Sequence, residues 1–281
     1  MNPHNNTQRN GKSDPAQYDS FAQQQNDETR LEGRNPVAEA LAAGRSINRV
    51  FVLASAAKSR PDAVLASLVA QCRDQGAIIQ YLNRAELDRI ATTRSHQGII
   101  VEAAPHRYSD LDDILLEYED KQATPFFLLL DQIQDAHNLG AILRIADGAG
   151  VTAVIIPKRR SVPLNAAVAK ASAGAVEYVA LCRVNNLTQT ILSLKEKGFW
   201  IFGTSAAGGL CYDQADYSGS IALIVGSEGQ GMSKKIAEHC DFLLTIPLHG
   251  KVNSLNAAVA CGIVTFAAAQ QRGQTDTCAK P

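Results

Sequence analysis

Ile221-Ala-Leu-Ile-Val225 is an unbroken apolar run, and Gly226-Ser227-Glu228-Gly229-Gln230-Gly231-Met232 follows it at once. A second passage of the same kind runs from Phe242 to Ile246 and on through Pro247-Leu248-His249-Gly250-Lys251-Val252-Asn253-Ser254-Leu255-Asn256 into an alanine-rich stretch. Four or five consecutive apolar residues without polar alternation read as a strand buried on both faces. Two such strands, each ending in a loop of glycines, amides and hydroxyls, predict an α/β protein with a polar pocket of backbone groups at the carboxyl ends of parallel strands.

Working outward, further apolar runs lie at Phe126 to Leu130, Ala153 to Ile156, Tyr178 to Cys182 and Trp200 to Gly203, separated by helical patterns. They predict a parallel sheet covered on both faces over residues 124–281. The first half alternates on a smaller scale. Helices are expected at Asn35 to Ala43, Asp62 to Gln75 and Arg84 to Ala91, and strands at Val50 to Leu53, Ile78 to Tyr81 and Gly98 to Glu102. This makes a small α/β unit over 31–104. An acidic connector, 105–123, carries one short helix around Leu111, Ile114 and Leu115. Residues 1–30 are rich in Asn, Gln, Ser and Asp, a composition that predicts a disordered tail, and its Asp14, Asp19, Asp27 and Glu28 argue against an organelle transit peptide.

The chain has 281 residues, 46% of them hydrophobic, and a formal net charge of -1 from 27 basic and 28 acidic side chains. That balance supplies no global attraction to a polyanion, so any nucleic-acid surface is local. Lys158-Arg159-Arg160, after a strand, is one candidate, with scattered Arg34, Arg45, Arg49, Lys58 and Arg60; a solvated edge is the competing reading. The 6 cysteines, Cys72, Cys182, Cys211, Cys240, Cys261 and Cys278, are far apart with no Cys-x-x-Cys pair, as expected of reduced thiols in the cytoplasm. Cys182, Cys240 and Cys261 sit in apolar runs as small buried hydrophobes. The histidines are equally dispersed, and no metal is expected. No apolar stretch reaches the roughly 18 to 20 residues of a membrane span.

The Gly226 turn matches neither G-x-x-x-x-G-K-[ST] nor G-x-G-x-x-G, and Glu228 would set a negative charge where a phosphate belongs, which excludes a triphosphatase and an ordinary dinucleotide site. A tight turn using glycine for positive φ remains the plain alternative. A third segment follows another buried strand: Asp131-Gln-Ile-Gln-Asp-Ala-His-Asn138-Leu-Gly-Ala-Ile-Leu-Arg144. Asn138 reads most simply as an N-cap or turn residue. Arg144 falls among Leu139, Ala141, Ile142, Leu143, Ile145 and Ala146, where a charge needs a partner: either a carboxylate such as Glu228 or a phosphate.

In their order and spacing the three blocks resemble the SpoU (TrmH) family of RNA ribose 2'-O-methyltransferases: Asn138 to Arg144 in its first motif, Gly226 to Met232 in its second, and Ile246-Pro247 to Ser254-Leu255-Asn256 in its third. The opening Glu32-Gly33-Arg34-Asn35-Pro36-Val37 and the ending His96-Gln97-Gly98-Ile99-Ile100 resemble the L30e-like RNA substrate-binding domain of one branch, most closely the bacterial enzymes acting on guanosine in 23S rRNA. The resemblance implies a trefoil-knotted (SPOUT, α/β knot) methyltransferase domain, a twofold homodimer, and S-adenosylmethionine bound bent by loops matching Thr204, Gly226, Gly231, Ile246, Pro247, Ser254 and Leu255. It also implies a catalytic shell of Arg144, Asn138, Glu228, Ser254 and Asn256, with Arg144 at the acceptor ribose or its phosphate. Ser254 and Asn256 also suit a helix cap. Ala136 stands where the first motif often has proline, and His249, Lys251 and Asn253 where the third usually has small or apolar residues.

Overall fold

A computed structural model describes residues 29–54, 62–93, 95–206, 208–251 and 254–273. The tail expected over 1–30 lies outside them except for its last two residues, as do Cys278, Val252 and Asn253. The described residues form two sheets. The first runs β1 (Arg30–Glu32), β4 (Ile99–Ala103), β2 (Ile47–Leu53), β3 (Ile78–Leu82). Its β1/β4 and β4/β2 pairs are antiparallel and its β2/β3 pair is parallel. Helices α1 (Arg34–Ala42), α2 (Ala63–Asp74) and α3 (Arg84–Ile90) connect these strands. Asp62 caps α2, and Asn83 with Glu86 forms a reciprocal capping box on α3, satisfying orphan N–H groups at both starts.

Helix α4 (Leu111–Asp120) leads into the second sheet, whose order is β7 (Leu181–Val184), β6 (Ala153–Pro157), β5 (Phe126–Asp131), β10 (Ile221–Gly226), β8 (Trp200–Ser205), β11 (Phe242–Thr245), β9 (Leu210–Cys211). Every pairing in it is parallel. Side chains of β5 alternate between two cores. Phe126, Leu128 and Leu130 pack with α5 (Ala136–Gly148), α6 (Ala166–Ala171) and α9 (Ala257–Gly273). Phe127 and Leu129 pack with α4, α7 (Leu187–Glu196) and α8 (Lys234–Ala237). Burial on both faces is why these strands carry no polar alternation.

The first core continues from α5, α6 and α9 into Leu31, Val37 and Ala40 of the first unit. Polar contacts reinforce this join: Arg45 pairs with Glu177 at 2.7 Å, both partly buried, and Tyr178 Oη donates to Glu39 Oε2 at 2.7 Å. The same contacts explain a difference from the sequence reading. Tyr178 does not begin a strand; it ends a 3-10 turn, Ala175–Glu177, and β7 starts at Leu181. Gly174, at φ 95, lies against Glu39 so closely that a Cβ there would be 2.1 Å from its Cγ. Docking of α1 thus overrides the local apolar pattern. The short β1, β9 and α8 were too brief to leave a periodic signature.

Candidate active site

Parallel strands deliver their loops to one edge. In register, Gly226 of β10 lies beside Asp131 of β5, and Thr245 of β11 beside Ser205 of β8. The turn after β10 is pinched: Ser227 N–H donates to Gly231 O at 3.2 Å, and Gly231 N–H returns to Ser227 O at 2.9 Å. A Cβ at Gly226 would stand 2.1 Å from the Gly231 carbonyl carbon and 2.2 Å from the Met232 nitrogen, so only glycine fits. Gly229 and Gly231 take φ 78 and 66, the left-handed conformation that glycine adopts freely. Below the turn, buried Asp131 accepts the Ser233 N–H at 2.8 Å and ties β5 to the loop's far end.

Between the turn and the starts of two helices, three polar side chains close a triangle. Asn138 Nδ2 donates to Glu228 Oε1 at 3.0 Å, Asn256 Nδ2 donates to Asn138 Oδ1 at 2.9 Å, and Asn256 also donates to Glu228 Oε1. The Ala257 N–H adds a contact to the same oxygen at 3.4 Å. Asn256 meanwhile caps α9, its Oδ1 accepting the N–H groups of Ala258 and Val259 at 3.0 and 3.2 Å. A carboxylate at a helix N-terminus is favoured by the unsatisfied N–H groups and the helix dipole. Among the described residues Glu228 Oε2 has no hydrogen bond, which leaves it as the acceptor facing outward.

A cleft partly open to solvent lies beside this triangle. Thr204, Gly226, Gly231, Ile246, Ser254 and Leu255 line it, whereas Pro247 does not. Ser205 and Leu248, inside the loops that the resemblance implies, also line it, as do Leu244 and Ala260, which the sequence reading did not single out. The signal of the last two was faint, an apolar residue in a strand and a small one on a helix. Among the described residues the lining holds apolar side chains, hydroxyls and backbone groups, with Glu228 as its single charge.

Two expectations need correction. Asn138 is not the N-cap of α5. Asp135 is, accepting the Asn138 N–H at 2.8 Å, which frees the Asn138 side chain for the triangle. Arg144 does not pair with Glu228, which is taken by the two amides, nor is it held in an apolar face. The buried stripe of α5 is Leu139, Gly140, Ile142, Leu143 and Ala146, and Arg144 projects to solvent on the side of His137 and Gly148. Among the described residues it has no hydrogen bond or ion pair. Ser254 is exposed at the cleft rim. Among the described residues no group of His, Cys, Asp or Glu could hold a metal ion, and no helix is long and apolar enough to cross a membrane.

A parallel sheet with ligand-accepting loops at its carboxyl edge, joined to a small mixed sheet, defines a two-unit α/β protein with a cleft at that edge. Comparison with known proteins supplies the family. The SpoU rRNA Methylase family matches residues 125–266, and the RNA 2'-O ribose methyltransferase substrate-binding family matches residues 30–109. YacO of Bacillus subtilis (strain 168), named for the TrmH family of tRNA/rRNA methyltransferases, is 40% identical over 240 residues, 85% of this chain and 94% of that one. The fold also matches an AdoMet-bound rRNA methyltransferase from Sinorhizobium meliloti, with TM-score 0.71 and 24% identity, over 90% of each chain. The TrmH/SpoU tRNA modifying enzyme of A. aeolicus, 28% identical with TM-score 0.50, covers 57% of this chain and 86% of its own. The chain belongs to the SpoU family of RNA 2'-O-ribose methyltransferases.

Proposed function

We propose that this protein methylates the 2'-hydroxyl of a ribose in ribosomal RNA, a guanosine of 23S rRNA, with S-adenosylmethionine as donor. The observation that carries the reading is the convergence of the three motif loops on the Asn138–Glu228–Asn256 triangle at the mouth of one cleft. The cleft suits that donor: apolar walls and backbone groups for a neutral adenosine, and one carboxylate opposite a sulfonium. When bound, the donor supplies a methyl group activated by its positive sulfur. The protein's own part is to align the acceptor, exclude water and manage the hydroxyl's proton. A guanidinium is a donor rather than a base at neutral pH, so Arg144 clamps the phosphate beside the acceptor ribose. Glu228 Oε2 accepts the hydrogen bond of the 2'-hydroxyl, with Asn138 and Asn256 fixing its rotamer. Ser254, Thr204 and the backbone at Gly226, Gly231, Ile246, Pro247 and Leu255 hold the donor.

Ribosomal RNA is favoured over transfer RNA by the first unit. The structural likeness to a protein titled an rRNA methyltransferase spans both units, while the one titled a tRNA modifying enzyme matches little more than half of the chain. In this reading residues 31–104 bind substrate, 105–123 link and 124–281 catalyse, in the cytoplasm. A trefoil knot fits the strand order, in which late β11 inserts between β8 and β9 before α9 returns to α5. A twofold homodimer fits the exposed apolar Val259 and Phe266 of α9, the latter beside Gly148 of α5, on the same side as Arg144. Arg144 then lies at the interface between two clefts. Arg144→Ala tests the reading. Methylation of 23S rRNA transcript should fall by about 10² to 10³-fold in kcat, with S-adenosylmethionine binding by calorimetry retained. Unchanged methylation, or no cofactor binding by the wild type, overturns it.

A further inference from the structure

The C-terminal edge of the second sheet extends past the triangle to β6 and β7, and the turn after β6 holds Lys158, Arg159 and Arg160. All three are exposed, and among the described residues none has an ion pair. Their backbone is pinned on several sides. Lys158 N–H donates to Val184 O of β7 at 2.8 Å, Val162 N–H donates to Ile133 O in the loop leading to Asn138 at 3.1 Å, and Ser161 Oγ donates to Pro157 O. Arg160 takes φ 60, a left-handed conformation uncommon for a side chain of its size. Beneath the turn, the Arg183 guanidinium sits 4.9 Å from the Tyr108 ring and reaches Lys158 O at 3.5 Å, and the Tyr108 hydroxyl accepts the Leu164 N–H at 3.3 Å.

A solvated edge of a protein with net charge -1 has no need of three adjacent unneutralised cations on a fixed turn. Like charges held together repel, and the arrangement is useful only against a negative partner. Position identifies the partner. Neighbouring strands lie about 4.8 Å apart, so the end of β6 is roughly 10 Å from the end of β10, where Glu228 begins its turn. We propose that Lys158, Arg159 and Arg160 form a phosphate clamp that grips the substrate RNA strand beside the nucleotide being methylated. The proposal rests on the RNA-methylating reading and adds the surface that positions the strand. Phosphate contacts set register without reading bases, so the clamp contributes affinity and leaves target choice to other parts of the protein.

The test is the variant Lys158→Ala/Arg159→Ala/Arg160→Asn, with asparagine chosen because it tolerates positive φ. The probe is unmodified 23S rRNA made by transcription in vitro, followed both by methylation and by filter binding across a salt series. Loss of three contacts to single-stranded phosphates should lower the slope of log affinity against log salt by about 2 and raise KM for RNA by about tenfold near physiological salt. Cofactor affinity, melting temperature and kcat at saturating RNA should match the wild type, and Arg159→Lys/Arg160→Lys should keep the slope. An unchanged slope and KM in a folded variant overturn the clamp and assign the turn to a partner of another class. A wild type that binds transcript but never methylates it would refute the functional reading instead, while the binding slopes still decide the clamp.

Discussion

The two sheets bury polar groups to opposite ends. In the first, Glu32 is fully buried at the end of β1 and accepts from Thr92 N–H, Thr93 Oγ1 and Thr93 N–H, the last at 2.7 Å. His96, also buried, accepts the Gly98 N–H on Nδ1 at 3.0 Å, so its Nε2 carries the proton and donates to Asp88 at 2.8 Å. Both side chains are spent on shaping the loop between α3 and β4. In the second sheet Asp131 and Asp241 hold backbone in the same way, accepting the N–H groups of Ser233 at 2.8 Å and Ile201 at 2.9 Å, whereas Asn138, Glu228 and Asn256 satisfy one another at the exposed rim. The contrast separates a unit whose polar residues hold its own loop from one whose apolar strands are rigid enough to leave polar residues for a ligand.

Gly226→Ala should break the second arrangement most severely. The added Cβ meets backbone, 2.1 and 2.2 Å from atoms of Gly231 and Met232, and backbone cannot rotate aside. Overpacking of this kind costs about 1–3 kcal/mol, and the shifted turn would carry Glu228 out of the triangle. S-adenosylmethionine affinity measured by calorimetry should fall more than about tenfold, and methylation should fall further. A variant that binds and turns over normally would show that the pinched turn is not what forms the cleft.

Glu32→Ala sharpens the other side of the contrast. It removes the acceptor of two N–H groups and a hydroxyl at a partly buried loop, a loss of about 1–3 kcal/mol, visible as a lower midpoint in chemical denaturation. Cofactor affinity below the transition should not change, because Glu32 touches no cleft residue. RNA affinity is the discriminating readout. Lys170 Nζ donates to Thr93 Oγ1 and to Ser95 O, both at 2.9 Å, so a collapsed loop would also loosen its hold on α6. If cofactor affinity fell in step with stability, the two units would not be separable in the way their polar groups suggest.

The central strands β5, β6 and β10 were legible because each is buried on both faces and therefore unbroken in sequence, as in Phe126 to Leu130. The site was legible only as residue types. Asn138, Glu228 and Asn256 could be named from their loops, but their mutual bonding depends on β5 and β10 being adjacent in register, a long-range fact that no local window contains. Arg144 was misread because an apolar stretch of helix looks continuous in one dimension, whereas at 3.6 residues per turn position 144 leaves the buried stripe. Tyr178 was misread for a related reason: the neighbour that bends it out of the strand is Glu39, far away in the chain. Asp135, by contrast, stood three residues before Asn138 in ordinary N-cap spacing and was recoverable from the sequence alone.

The smallest effect expected is on the thiols, and it compares the units directly. Burial pushes Cys72 of α2 up to about 11, and Cys182 of β7 and Cys261 of α9 up to about 12. Each starts from 9.0, so between pH 9 and the folded value the unfolded chain has lost a proton that the folded chain keeps. Stability from these groups is therefore fully present below pH 9 and declines as pH rises above it. Since the thiolate is the nucleophile, iodoacetamide at pH 8 should spare all three in the native protein and modify them once it is unfolded in guanidinium. As pH rises, mass spectrometry should find Cys72 alkylated before the other two, because its thiolate is reached about one pH unit earlier. Simultaneous labelling of the three would mean that both units open together, and the first sheet would then have no separate stability for Glu32 to control.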